Sequence, residues 1–152
     1  MRRLIIACLI LGSFTALAAD VVTGRIVKVL PLLLDAQGRD ATAPSLFERD
    51  AYQAYLREHT NQISAIRYAV QWNVSPSGAE KLRLRIELRG IGEGGVPKLK
   101  SLESEVTAGT FSQWTNLKLA GEDYKKIGSV AAWRVTLWAG EHQLGEQKSF
   151  LW

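Results

Sequence analysis

Two runs of strict alternation constrain this chain more than any other feature. In "SAIRYAVQWNV" (residues 64–74), Ile66, Tyr68, Val70, Trp72 and Val74 fall on one side, and Arg67, Gln71 and Asn73 on the other. In "KLRLRIELR" (residues 81–89), Leu82, Leu84, Ile86 and Leu88 alternate with Lys81, Arg83, Arg85, Glu87 and Arg89. Side chains point alternately to the two faces of a strand, so a period of two means one apolar and one polar face. Both runs read as antiparallel strands buried on one side. The turn residues "SPSG" (75–78) between them predict a hairpin.

Five further strands are expected. "TGRIVKVLPLLL" predicts one near 22–30, limited by Pro31. Others fall near 111–119 ("FSQWTNLKLA"), near 130–138 ("VAAWRVTLW") and in the final "HQLGEQKSFLW". Residues 97–106 fit helical spacing through Leu99, Leu102 and Val106, and strand spacing through Leu102, Ser104 and Val106. Pro97 suits a strand start or sheet edge, so an edge strand is expected. One helix is expected at 46–58. Ser45 with Glu48 three residues on forms a capping box, Leu46 or Phe47, Ala51, Ala54 and Tyr55 make one apolar stripe, and the helix is expected to lie over an open end or edge of the sheet. "DAQGRDATAP" before it reads as a loop.

Seven short strands separated by turn signals predict a mainly β domain, an antiparallel sandwich with one α-helix between the first two strands. "LAGEDYKKIG" places Tyr124 just before the penultimate strand. There the C-terminal half, residues 63–152, resembles the immunoglobulin-like and fibronectin type III sandwiches. In those folds a corner tyrosine bonds back to the chain through its hydroxyl. The chain departs from true immunoglobulin domains in lacking their paired cysteines. The resemblance implies a fold and no activity.

The N-terminus has the order of a secretory signal. Arg2 and Arg3 precede an apolar run from Leu4 to Leu11, and Ala16-Leu17-Ala18 supplies small residues for cleavage between Ala18 and Ala19. The apolar run is short for a membrane span, which needs about 20 residues. The expectation is residues 1–18 as a signal peptide and 19–152 as a single domain, in the periplasm or outside a bacterial cell, with no membrane span after cleavage. Cleavage removes Cys8, the only cysteine, so disulfides and thiol chemistry are excluded from the mature chain. Losing Arg2 and Arg3 lowers Lys plus Arg from 19 to 17 against 15 Asp plus Glu. That balance gives no ground for a nucleic-acid partner.

Catalytic and cofactor motifs are weak throughout. "GIGEGG" (90–95) matches a dinucleotide fingerprint letter for letter, but Val96-Pro97 follows where a helix must open, so it reads as a loop. His59 and His142 stand alone, without metal-ligand spacing. Glu122-Asp123 reads as the start of a short helical turn. No metal or cofactor is expected.

The tryptophans and arginines carry the remaining signal. Alternation places Trp72 and Trp133 in the core and leaves Trp114 unassigned. Trp138 falls on the opposite face from Trp133, beside Arg134. Arg83 and Arg85 project from the polar face of their own strand, with Lys81 and Arg89. An arginine of this ridge is placed to stack on Trp138 where the two strands are neighbours. Counting back by twos from Trp152 meets Lys148 and Glu146, which excludes a lipid-facing barrel strand. The expected function is a non-catalytic binding or interaction module for an envelope protein or a glycan, with Trp138, Arg134, Arg83 and Arg85 as its candidate face. The alternatives are a carbohydrate-binding domain using exposed aromatics and a small hydrolase with a site assembled from separated residues.

Overall fold

The computed structural model describes residues 21–76 and 81–152. The expected signal peptide, its Ala18/Ala19 cut and residues 77–78 of the "SPSG" turn lie outside those residues. Seven strands form: β1 (Thr23–Asp35), β2 (Ile63–Ser75), β3 (Leu82–Ile91), β4 (Pro97–Val106), β5 (Gln113–Ala120), β6 (Ser129–Ala139) and β7 (His142–Lys148). Helix α1 (Leu46–Glu58) lies between β1 and β2, and a second helix beyond the one expected, α2 (Gly121–Ile127), extends the short turn at Glu122-Asp123 between β5 and β6. The strands pair antiparallel in two sheets, sheet A in the order β1-β2-β5 and sheet B in the order β4-β3-β6-β7.

The two alternating runs do not form the expected hairpin: β2 pairs with β1 and β5, β3 pairs with β4 and β6, and the runs are the centres of two different sheets because their apolar faces pack against each other across the core. Each is an inner strand with partners on both sides, so its apolar face is the most enclosed part of the molecule. Tyr68, Val70 and Trp72 from β2 meet Leu84, Ile86 and Leu88 from β3 in one core, completed by Leu117 and Leu119 (β5) and Val135 and Leu137 (β6). The Trp72 indole N–H donates to Thr115 Oγ1 at 2.9 Å, so its polar atom is not stranded in that core. Tyr68 packs edge-on against Trp133 with ring centroids 6.5 Å apart. Burial, then the neighbouring Tyr124, holds the Tyr68 hydroxyl well above its ordinary titration range.

β1 does not stop at Pro31 as the sequence implies; it continues to Asp35. β1 is the edge of sheet A, with β2 on one side only, and a proline's missing N–H is tolerated where no second partner needs it. β7 ends at Lys148, short of the expected run to Trp152. Ser149 instead turns back on β6: its N–H donates to Trp133 O at 2.9 Å and its Oγ accepts from Trp133 N–H at 3.0 Å.

Helix α1 meets the sheet at the β1 edge, but not through its apolar stripe. Ser45 caps it, accepting the Glu48 N–H at 3.1 Å. The apolar stripe, however, faces outward: Leu46, Phe47, Ala51, Ala54 and Tyr55 are all exposed. The buried residues are Gln53 and Leu56. The reason lies in what the helix covers, a sheet edge with free backbone groups. The Gln53 side chain accepts from Leu33 N–H at 2.8 Å and donates to Leu33 O at 2.9 Å, acting as one residue of an absent neighbouring strand. It also donates to Asp40 O at 2.9 Å, which ties down the loop before the helix.

Asp35 anchors the same loop. Its Oδ1 accepts from the N–H groups of Gln37 and Arg39 at 2.9 and 2.8 Å, and its Oδ2 accepts from Arg39 Nε at 2.8 Å and the Tyr52 hydroxyl at 2.7 Å. Burial alone raises the Asp35 pKa. The bonds from the Arg39 backbone, Tyr52 and the Arg39 guanidinium outweigh it and bring the group to about 2.

Candidate functional site

The core faces of the two sheets are consumed by packing, so a binding surface must use their outer faces, their edges or the loops. The outer face of sheet B carries every residue of the expected site. Register brings them together: Arg83 lies opposite Trp138, Arg85 opposite Thr136, and Glu87 opposite Arg134. Strand β4 on the other side sets Glu105 opposite Arg83 and Glu103 opposite Arg85. The arginines therefore meet carboxylates before they meet solvent. Arg85 Nε donates to Glu103 Oε1, with Arg83 nearby at 3.9 Å from Oε2 of the same group. Arg134 donates to Glu87 Oε2 through Nε at 2.8 Å and Nη2 at 2.6 Å.

Trp138 does not stack on an arginine. Its indole N–H donates to Thr136 Oγ1 at 2.9 Å, and the side chain is half-buried. The cation–π contacts form on Trp152 instead, with the guanidinium of Arg89 at 4.0 Å and that of Arg134 at 4.9 Å from its ring centroid. Turning the chain back at Ser149 is what lays Trp152 over the arginines. The basic ridge is thus one part of a lattice of paired charges capped by an aromatic ring.

The outer face of sheet A is built differently. Its three strands contain a single carboxylate, Asp35, which is buried and saturated. Alternation on β2 turns Arg67, Ala69, Gln71 and Asn73 outward, opposite to the core-facing Tyr68, Val70 and Trp72. On β5 it turns Trp114, Asn116 and Lys118 outward. Register then sets Lys28, Gln71 and Trp114 side by side across the three strands. Arg25 stands opposite Asn73, and Lys118 opposite Arg67. Arg67 is held by Asp40 at 2.8 Å, whereas Arg25, Lys28 and Lys118 form no ion pair among the described residues. Trp114 is 51% exposed.

An open groove of about 450 Å³ continues this face at the end of the sheet, between Arg25, Asn73 and the loop Thr110–Ser112. Phe111 lines it and is 81% exposed. The sequence left Trp114 unassigned because its own strand alternates imperfectly. What settles its side is the pairing of Gln71 with Trp114, a contact between segments 43 residues apart in the chain.

Other candidate groups have structural occupations. Gly90 sits where an added Cβ would strike the Ile127 carbonyl and side chain, and Gly128 combines φ of +67° with the Ile91 carbonyl directly behind it. The glycines of "GIGEGG" join β3 to antiparallel β4, so the close approach they permit is strand to α2, not backbone to phosphate. His59 ends α1, stacked on Tyr55 with centroids 4.0 Å apart. Tyr124 lies in α2, packed against the core; its hydroxyl makes no hydrogen bond to protein among the described residues, unlike a corner tyrosine. Lys100 donates to Asp123 at 2.6 Å and holds that carboxyl below its ordinary range. Among the described residues, no group of three or more His, Cys, Asp or Glu is placed to hold a metal. Among the same residues, no helix is long and apolar enough to cross a membrane. Comparison with family models, with curated proteins and with solved structures finds no match to this chain.

Proposed function

We propose that this chain is an exported, non-catalytic binding module of the bacterial envelope, built on an immunoglobulin-like sandwich of the fibronectin type III kind. The strand orders support the architecture. With the strands taken in chain order as A, B, C, C′, E, F and G, the sheets read A-B-E and C′-C-F-G. In this reading α1 is an addition that covers the β1 edge. The N-terminal sequence supports export to the periplasm or beyond.

One observation carries the binding role: a half-exposed Trp114 in the row Lys28–Gln71–Trp114, on a face where Arg25, Lys28 and Lys118 form no ion pair among the described residues. A large aromatic with solvent on its ring and unpaired polar groups beside it is the usual composition of a contact surface. The sheet B arginines have partners already, so they serve the scaffold. Site-specific photo-crosslinking in intact cells tests this. A photoreactive residue at position 114 should capture an envelope component, and one at position 85 should capture much less. Equal capture at the two positions, or none at 114, contradicts the docking face.

A further inference from the structure

We infer that the outer face of sheet A is a site for an anionic polysaccharide, a glycan containing hexuronate residues. The inference rests on the docking face proposed above and gives it a ligand class. A pyranose presents C–H groups on its flat face, hydroxyls around its rim and, in a uronate, one carboxylate per residue. Sheet A matches these in turn. The exposed indole of Trp114 offers an aromatic plane. Gln71, Asn73 and Asn116 on the same face carry amides that both donate and accept, as hydroxyls require. Arg25, Lys28 and Lys118 border them without carboxylate partners among the described residues, and the only acid on the three strands is buried.

The geometry favours a chain over a single sugar. Lys28 and Trp114 stand two strand spacings apart, about 10 Å. The face then runs on into the groove beside Phe111, a second exposed aromatic. A protein partner fits less well, because the core of a protein interface is apolar and depleted in charge. Trp114 has amides for neighbours: its cross-strand partner is Gln71 and its next outward neighbour on β5 is Asn116.

Nuclear magnetic resonance titration of the ¹⁵N-labelled exported protein tests the inference. The probes are hexamers of galacturonate and of mannuronate, the methyl ester of the galacturonate hexamer, and an oligoglutamate peptide. At least one uronate hexamer should shift the Trp114 indole signal, and binding should weaken with salt. Trp114→Ala and Lys28→Gln should each weaken it at least tenfold; Lys28→Gln leaves the indole in place and guards against a folding defect. The methyl ester should bind at least tenfold more weakly than the acid. Failure of both uronates overturns the inference, as does equal binding of the ester. Equal or tighter binding of oligoglutamate at the same residues overturns the glycan class. Capture at position 114 in cells without uronate binding would reject the ligand and keep the docking face; failure of capture there removes both.

Discussion

The two outer faces of this sandwich show how similar residue types come to opposite uses. Both carry cations and a tryptophan on alternating strands. On sheet B three of the arginines lie beside a strand that supplies an acid: β4 brings Glu103 to Arg85 and Glu105 opposite Arg83, and β3 brings Glu87 to Arg134. Trp152 then seals Arg89 and Arg134. On sheet A the neighbours of Lys28 and Trp114 are amides, and Asp35 is taken by Arg39 and Tyr52. The cross-strand neighbour, rather than the residue itself, decides whether a charge stabilises the fold or is free to meet a ligand.

The largest expected effect separates the two faces of sheet A itself. Trp72 and Trp114 lie on adjacent strands with opposite orientation, one buried and one exposed. Trp72→Ala should destabilise the protein by about 3–5 kcal/mol, measured by urea denaturation. A loss under about 1 kcal/mol would mean that the core is not built on β2. The next effect is in pH. The Asp35 pKa is depressed to about 2 in the folded chain from 3.8. Its contribution is therefore full above about pH 4 and is lost as pH falls toward 2, about 2 kcal/mol in all. Asp35→Asn should flatten the stability profile in that window; an unchanged acid limb would show that the latch contributes nothing.

On sheet B, Glu87→Gln removes the acceptor charge from a half-exposed pair and should cost about 1 kcal/mol, with salt reducing the difference. The smallest effect belongs to the proposed site. Trp114→Ala should change stability by about 0.5 kcal/mol while weakening uronate binding at least tenfold. A larger loss from Trp114→Ala than from Glu87→Gln would erase the distinction between the faces.

The two inner strands were legible because each alternates without a break, and alternation is local. Helix α1 was legible at its start, where Ser45 and Glu48 are neighbours in sequence. Its orientation was not, because Gln53 is buried to satisfy Leu33, a residue on another element. A hydrophobic stripe identifies the buried side of a helix only when the surface below it is apolar. Arg83, Arg85, Arg134 and Trp138 do gather on one face, as their alternation implies. Their pairing with Glu103 and Glu87 depends on register between strands, which no single segment encodes. Trp114 was hidden for the same reason. Its face is set by Gln71, and that pairing exists only once β2 and β5 have met.

The division of labour between the faces is tested most directly by comparing two triple variants in urea. One removes the free row on sheet A, with Lys28→Ala, Gln71→Ala and Trp114→Ala. The other removes the paired lattice on sheet B, with Arg85→Ala, Glu87→Ala and Arg134→Ala. Breaking the lattice should lower stability by about 2 kcal/mol or more, and clearing the free row by less than half as much. A sheet A variant that loses as much stability as its sheet B counterpart would contradict it, because the Lys28–Gln71–Trp114 row would then be part of the scaffold.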